Sequence, residues 1–224
     1  MVTVVTIDGP TSSGKGTISR TVAARLQWHL LDSGALYRLV ALRGQQLGLE
    51  PDNISGHAAA AGALEADFGA VEDEERIWLA GQEVTQEVRT AAAGMGASRV
   101  AAWPAVREAL LDRQRRFARE PGLVADGRDM GTVVFPYAPL KVFLTASPEE
   151  RARRRYKQLK DKGSGVSLAA LSREIAERDL KDSTRAVAPL RPAPDAHVID
   201  STNLSIQEVV EQVLALGRSC SLWP

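Results

Sequence analysis

A single cysteine, Cys220, occurs among the 224 residues, which excludes an internal disulfide and a cysteine-based zinc site. No apolar run approaches the length of a membrane-spanning helix. The chain also lacks the basic segment and long apolar stretch of a secretion signal, because Asp8 interrupts its first apolar run. We therefore expect a cytoplasmic protein with no membrane partner.

Neither sign of charge is in excess, since 28 basic residues are balanced by 28 acidic ones. A chain without net charge has no overall field that attracts nucleic acid, so we expect small molecules as its partners. Aromatic residues make up only 5% of the chain, and the scattered tryptophans favour packing over base stacking. The three histidines share no metal-ligand spacing. The remaining composition, with 44% apolar residues, is typical of one globular unit.

The feature that carries chemistry is a glycine-rich stretch near the start of the chain. The β-branched run from Val2 to Ile7 predicts a buried strand, and the apolar spacing after residue 17 predicts a helix. A loop between a strand and a helix directs backbone N–H groups and the helix dipole at a phosphate, and a lysine adds a mobile cation. We therefore predict a phosphate-binding loop (P-loop) made of Gly9, Pro10, Thr11, Ser12, Ser13, Gly14, Lys15, Gly16 and Thr17.

One position departs from the general form of this motif. Ser or Thr normally follows the lysine as a magnesium ligand, whereas this chain has Gly16 there and Thr17 one residue later. An ordinary glycine-rich turn at a helix start is the alternative interpretation. The preceding strand, the fixed spacings and the lysine together favour nucleotide binding.

Short apolar runs alternate with helical patterns along the rest of the chain, which is typical of a parallel sheet with helices on both faces. Strands are predicted at residues 27–31, 122–125, 140–144 and 196–199. Capping boxes at Ser147–Glu150 and Ser205–Glu208 predict two helix starts. Residues 64–84 alternate in polarity and predict a small antiparallel insert, while residues 50–63 gave no assignment.

Ligands of parallel sheets bind beyond the carboxyl ends of the strands. This rule places the P-loop, Asp32-Ser33 and residues 126–129 around one crevice. Asp126 directly follows a predicted buried strand, where P-loop proteins commonly hold magnesium or its waters. A role for Asp126 as a turn or helix cap is the alternative.

Two groups of charged residues have helical spacing. Arg151, Arg154 and Arg155 share a helix face, and the segment after them, to Gly165, is of the kind that closes over phosphates and expels water. A solvated basic face explains that spacing equally well. Likewise, Arg178, Asp182 and Arg185 form either a ligand-binding side of a helix or a salt-bridged stripe.

Four stretches together resemble the nucleoside monophosphate kinases, and within them the bacterial cytidylate kinases. These stretches are residues 7–17, 28–38, 126–136 and 178–190, in that family's order, and the second and third are highly diagnostic. The family uses Gly-Lys-Gly-Thr in its P-loop, which accounts for Gly16. The chain departs from the family at Thr11-Ser12-Ser13, where Ser-Gly-Ala is more common.

The resemblance implies that ATP phosphorylates CMP and dCMP with the help of Mg²⁺, which Asp126 would hold through water. It implies a cytosine pocket lined by Ser33, Arg107, Asp129 and Arg185. By the same resemblance, the pentose faces Ser98, Arg178 and Asp182, and the acceptor phosphate faces Arg38 and Arg128. The expected catalytic residues are Lys15, Arg38, Arg128 and Arg154.

The resemblance also implies a three-layer α/β/α P-loop fold with a five-stranded parallel sheet, an antiparallel insert and a short lid. One monomeric kinase domain would span residues 1–224. Its core would comprise about 1–32, 98–150 and 168–224, its monophosphate-binding part 33–97, and its lid 151–167.

Two other functions stay open on the residues alone. One is a different P-loop kinase that acts on UMP, AMP or a small metabolite. The other is a nucleotide-dependent switch, although the Asn-Lys-x-Asp motif that reads guanine does not occur in the chain.

Overall fold

The structure is a computed structural model, and it describes residues 2–71, 74–161 and 165–223. The chain divides into two compact units. The first unit holds the residues up to Asp32 together with those from Arg115 onward, and the second unit is Ser33–Gln114. Residues 98–114, which the sequence assigned to the core, thus lie in the second unit.

Strands and helices are labelled in chain order. The strands are β1 (Val4–Asp8), β2 (His29–Asp32), β3 (Ala66–Val71), β4 (Glu74–Leu79), β5 (Gln82–Glu83), β6 (Leu123–Gly127), β7 (Leu140–Thr145) and β8 (His197–Asp200). The helices are α1 (Lys15–Leu26), α2 (Ser33–Gln46), α3 (Ile54–Gly62), α4 (Thr85–Val88), α5 (Ala91–Val100), α6 (Pro104–Arg115), α7 (Pro148–Lys160), α8 (Leu168–Thr184) and α9 (Ile206–Ser219). A π-helical turn spans Met130–Val134.

A five-stranded sheet in the order β2-β6-β1-β7-β8 forms the centre of the first unit. Each neighbouring pair is parallel, which confirms the sheet predicted from the sequence. Every residue of β1 and β6 is buried, because a parallel sheet covered on both faces leaves no strand face for polar residues. The carboxyl ends of β1, β2 and β6 share one edge of the sheet, where Asp8, Asp32 and Asp126 lie.

Helices α1 and α9 pack against this sheet through one apolar cluster, with Val22 of α1 and Val213 of α9 fully buried in it. The predicted capping box at Ser205 is complete, since Ser205 and Glu208 each accept the other's backbone N–H. At Ser147 only one half forms: the hydroxyl accepts the N–H of Glu150 at 3.2 Å. The Glu150 carboxylate pairs instead with Arg153 and Arg154, so the capping box predicted there is half wrong.

The second unit combines helices α2 to α6 with the antiparallel sheet β3-β4-β5, which confirms the predicted insert. Ala80 and Gly81 join β4 to β5 with φ angles of 49° and 77°, the positive values that a two-residue hairpin turn requires. Residues 50–63, unassigned from the sequence, contain α3. Asparagine at position 53 is a sequence signal for its start, and the Asn53 side chain caps the helix by accepting the N–H of Gly56 at 2.8 Å.

None of the helices that the structure describes combines the length and the apolarity needed to cross a bilayer.

Candidate active site

The predicted P-loop connects β1 to the first turn of α1, as its sequence context requires. Gly14 precedes the helix with φ 94°, a left-handed conformation that favours glycine. Gly9 allows a close approach of two backbones, because an added Cβ there would lie 2.1 Å from the carbonyl oxygen of Leu144. The loop therefore places its N–H groups at a helix start, the arrangement that binds phosphate.

Ser12 also lies in the left-handed region, with φ 58°. The family resemblance described in the sequence analysis implies glycine rather than serine at this position. A residue with a Cβ is strained in this conformation by roughly 1–2 kcal/mol. The loop of this chain therefore keeps a backbone shape made for glycine while carrying serine.

Lys15 is buried, and its Nζ donates a hydrogen bond to the carbonyl oxygen of Pro10 at 3.1 Å. Burial lowers the pKa of Lys15, and the positive charges of Arg128 and Arg178 lower it further. Asp126 and Asp32 act in the opposite direction. Lys15 thus lies amid two arginines and two carboxylates, a mixed-charge cluster at the carboxyl edge of the sheet.

Asp126 borders the P-loop directly. It pairs in register with Ile7 of β1 and with Asp32 of β2. Burial raises its pKa, while Lys15 and Arg128 lower it. A Cβ added at Gly16 would lie 3.3 Å from Asp126 Oδ2, so glycine at that position leaves the carboxylate its room.

Two carboxylates of neighbouring strands beside a phosphate-binding loop fit a hard cation such as Mg²⁺, which prefers carboxylate, phosphate and water oxygens. Among the described residues no group of three or more histidine, cysteine or acidic side chains forms a metal cage by itself. This donor set suits a cation that phosphates and water also ligate.

Asp8 is a residue that the sequence analysis did not assign to the site. Its two carboxylate oxygens accept the backbone N–H groups of Met130 and Gly131, both at 2.8 Å. These bonds attach the end of β1 to the π-helical turn after Asp129. The signal was present in the sequence, since Asp8 stands between a buried strand and the first glycine of the loop.

Two charge pairs connect the segment after β6 to the end of α8 and to the residue that follows this helix. Arg128 Nε donates to Asp182 Oδ2 at 2.9 Å, and Arg185 Nη2 lies 3.7 Å from Asp129 Oδ1. Both carboxylates are buried. Asp182 and Arg185 are therefore salt-bridged to the diagnostic Gly-Arg-Asp stretch. Helix α8 ends at Thr184 and Arg185 has an extended backbone, so the helical spacing predicted for Arg185 is wrong.

Two of the three arginines that the sequence places on one face of α7 are not part of a solvated basic face. Arg151 is buried and donates to the carbonyl oxygens of Ala146 and Thr11 at 3.0 and 3.2 Å. Arg154 donates to the carbonyl oxygen of Ser13 at 3.1 Å and to Ser201 Oγ at 3.0 Å, while Arg155 bonds to Gln158. The alternative interpretation as a solvated basic face is therefore wrong for Arg151 and Arg154, because both donate hydrogen bonds to carbonyl oxygens of the P-loop. The predicted lid includes residues 162–164, which lie outside the described residues.

Ser201 is a second residue that the sequence analysis missed. Its buried hydroxyl accepts from Arg154 and donates to the carbonyl oxygen of Thr145 at 2.9 Å. The carbonyl oxygen of Ser13 lies 3.3 Å from the same hydroxyl. No short motif announces this role, because the contacts join residues 188 positions apart.

The other predicted substrate residues lie in the second unit. Ser33 begins α2 and is buried, and Ser98 lies within α5. Arg38 donates to the carbonyl oxygen of Val88 at 3.0 Å. Arg107 donates to the carbonyl oxygen of Ala101 at 3.2 Å, and its guanidinium lies 5.7 Å from the ring centre of Tyr37. Their substrate contacts stay predictions.

Comparison with known proteins gives a consistent result. The family model described as cytidylate kinase matches residues 5–219. A cytidylate kinase of Pseudomonas paraeruginosa is 58% identical over 215 residues, covering 95% of this chain and 94% of the relative. A cytidylate kinase of Stutzerimonas stutzeri is 56% identical over 216 residues, covering 96% and 94%. Among solved structures, an uncharacterized protein from Eubacterium ventriosum shares the fold, with a TM-score of 0.50, 8% identity and coverage of 96% and 97%.

Proposed function

Because this chain belongs to the cytidylate kinase family, we propose that it transfers the γ-phosphoryl group of ATP to CMP, giving CDP and ADP. The observation that carries the assignment is the identity of about 57% to cytidylate kinases over 95% of the chain. The site agrees with it, since a P-loop lies beside a cluster of arginines and carboxylates. We further propose dCMP as an acceptor.

The P-loop binds the donor. Its backbone N–H groups and the start of α1 hold the phosphates of ATP, and Lys15 follows the charge of the transferred group. Phosphate oxygens replace the carbonyl oxygen of Pro10 as partners of Lys15 Nζ. Binding of the anion therefore restores the charged form of a lysine whose pKa burial lowers.

Asp129 identifies the base of the acceptor. Cytosine presents an N4 amino donor, which a carboxylate accepts, whereas uracil presents an oxygen at that position. Arg185, Arg107 and Ser33 complete the contacts to the base. The pentose is bound by Ser98, Arg178 and Asp182, and the acceptor phosphate by Arg38 and Arg128.

Phosphoryl transfer needs no general base here, because the acceptor is already a phosphate anion at neutral pH. Catalysis consists of holding donor and acceptor in line and neutralising like charges. Lys15, Arg38, Arg128 and Arg154 supply the positive charge. The hydrogen bonds of Asp8 to the turn after Asp129 keep Arg128 in position.

Magnesium is the proposed cofactor. Asp126 would hold it through water, with Asp32 on the neighbouring strand adding negative charge. When bound, the metal neutralises phosphate charge and orients the phosphates of ATP. The protein's part is to keep the two carboxylates at the edge of the P-loop.

A coupled assay of ADP release tests the assignment, with CMP, dCMP, UMP, AMP and GMP as acceptors and ATP as donor. We expect CMP and dCMP to give the highest kcat/KM. Preference for AMP or GMP would contradict it and favour another nucleoside monophosphate kinase. Nucleotide binding without turnover would favour a switch.

We also propose that the enzyme acts in the cytoplasm, as a monomer, on free nucleotides and not on nucleic acid or a membrane. The equal numbers of acidic and basic residues support a small substrate that local charges recognise. Light scattering across a range of protein concentrations tests the oligomeric state, and a mass of twice 24.1 kDa would contradict it.

A further inference from the structure

Arg151 contacts three parts of the first unit at once. Its side chain is only 5% exposed, although it carries a full charge. Its Nε donates to the carbonyl oxygen of Ala146, just after β7, and its Nη1 donates to that of Thr11 in the P-loop. Its Nη2 lies 2.6 Å from Asp179 Oδ2 on α8. One guanidinium thus joins the donor loop to α8.

Helix α8 carries two of the residues that the proposed function assigns to the acceptor, Arg178 and Asp182. Arg178 immediately precedes Asp179, and Asp182 follows one turn later. Asp182 is itself bonded to Arg128, the proposed ligand of the acceptor phosphate. The Arg151–Asp179 pair is therefore a direct connection, through one buried guanidinium, between the P-loop and the helix that carries Arg178 and Asp182.

The pair has the features of a device that sets geometry rather than stability. Arg151 is buried, whereas the Asp179 side chain is 26% exposed. Such an ion pair contributes little net stability, because desolvation of the buried charge offsets the attraction. Asp179 Oδ2 contacts Arg151, and Asp179 Oδ1 has no hydrogen-bond partner among the described residues, so the contact with Arg151 orients the carboxylate. On the other side, Arg151 holds Thr11, the neighbour of the strained Ser12.

We propose that the Arg151–Asp179 pair couples the donor and acceptor subsites, so that occupation of the P-loop strengthens CMP binding and CMP strengthens binding of the donor. ATP fixes the loop, the carbonyl oxygen of Thr11 fixes Arg151, and Asp179 then fixes the part of α8 that carries Arg178 and Asp182. The second ligand meets side chains that are already ordered. Thermodynamic linkage makes the effect reciprocal. Arg151 and Asp179 are positioning residues, and the inference rests on the proposed function.

Calorimetry with CMP and a non-hydrolysable ATP analogue measures the coupling directly. The Kd for CMP is determined without and with saturating analogue, and the Kd for the analogue without and with CMP. For the wild-type protein we expect each Kd to fall about 5-fold or more when the other ligand is present. For Asp179→Asn we expect both ratios near one, with the Kd of each ligand alone unchanged.

Glu174→Gln is the matched control, because it neutralises an exposed carboxylate on the same helix. It should keep the wild-type ratios. A purely structural role would lower the melting temperature of Asp179→Asn and leave its ratios intact, and that result would overturn the inference. Wild-type ratios of one would overturn it as well.

A second variant covers the case in which Asp179→Asn leaves Arg151 unpaired and does not fold. In Arg151→Met/Asp179→Leu, apolar side chains of similar volume replace the pair, an exchange that proteins often tolerate. We expect it to bind both ligands without coupling, and retained coupling would again overturn the inference. Failure of the wild-type protein to bind CMP would instead contradict the proposed function itself.

Discussion

The carboxylate of Asp8, the last residue of β1, accepts the backbone N–H of Met130 at 2.8 Å. Its other oxygen accepts the next N–H along the turn at the same distance. Burial outweighs these two bonds and raises the pKa of Asp8 to about 7. Asp8 therefore holds the segment that carries Arg128 and Asp129. Its burial costs stability when the carboxylate is ionised, so this cost depends on pH.

This cost predicts an unusual dependence of stability on pH. In the unfolded chain Asp8 ionises near pH 3.8, and in the folded protein near pH 7. Between these values the folded protein keeps a proton that the unfolded chain has lost, so this group lowers the free energy of unfolding as pH rises. The difference in the free energy of unfolding, Asp8→Asn minus wild type, should therefore increase by up to about 4 kcal/mol as pH rises from 4 to 7. Urea denaturation at several pH values measures this difference.

Asp195→Asn is the control for that experiment. The hydrogen bond from Lys141 lowers the pKa of Asp195. The contribution of Asp195 to the free energy of unfolding is therefore lost only when pH falls below the ordinary pKa of an aspartate. The difference between this variant and wild type should stay constant above pH 5. A constant difference for Asp8→Asn as well would show that Asp8 ionises normally in the folded protein.

Replacing the strained serine of the P-loop should stabilise the protein. Ser12→Gly removes a Cβ from a residue with φ 58°, and we expect a gain of about 1 kcal/mol in the free energy of unfolding. Ser13 is the next residue and does not have a positive φ, so Ser13→Gly relieves no strain and should lower the free energy of unfolding. Chemical denaturation of both variants decides the matter, and a loss for Ser12→Gly would mean that its hydroxyl outweighs the strain.

Gly16→Ala should separate stability from the use of magnesium. Alanine favours a helix over glycine by about 1 kcal/mol, so stability should rise or stay constant. The new Cβ meets Asp126 Oδ2 at 3.3 Å and displaces the carboxylate, so the Mg²⁺ concentration for half-maximal activity should increase. Gly62→Ala adds a Cβ to a helix where nothing lies within 4 Å, and should leave the Mg²⁺ dependence unchanged.

Asp129→Ala should weaken the choice between CMP and UMP. Loss of the acceptor for the N4 amino group removes about 1–3 kcal/mol of discrimination, so the ratio of kcat/KM for CMP over UMP should fall about 10-fold. The ratio does not depend on the fraction of folded protein, which matters because Asp129 is buried beside Arg185. Asp112→Ala, at an exposed position of α6, should keep it. An unchanged ratio for Asp129→Ala would place the base elsewhere.

Much of the fold was readable because its causes are local. The run before Asp8 gives a buried strand, and the alternation after Leu64 gives an antiparallel hairpin. Ser205 and Glu208 announce a helix start three residues apart. The helix within residues 50–63 was not predicted, because the alanines there show no apolar face. The π-helical turn was not predicted either, because no short motif encodes it. The capping box predicted at Ser147 forms only by half, because Arg153 and Arg154 pair with the carboxylate of Glu150.

The sequence by itself determined the parallel sheet, the P-loop and the family, since apolar periodicity, turn residues and short motifs act over a few positions. Only the tertiary structure decided which charged groups meet. Asp8 finds its partners 122 and 123 positions away, and Arg151 reaches a carbonyl oxygen 140 positions away. Such contacts depend on strand order and helix packing, and no spacing along the chain encodes them. The φ angle of Ser12 is set in the same way, by the loop that the fold imposes on it.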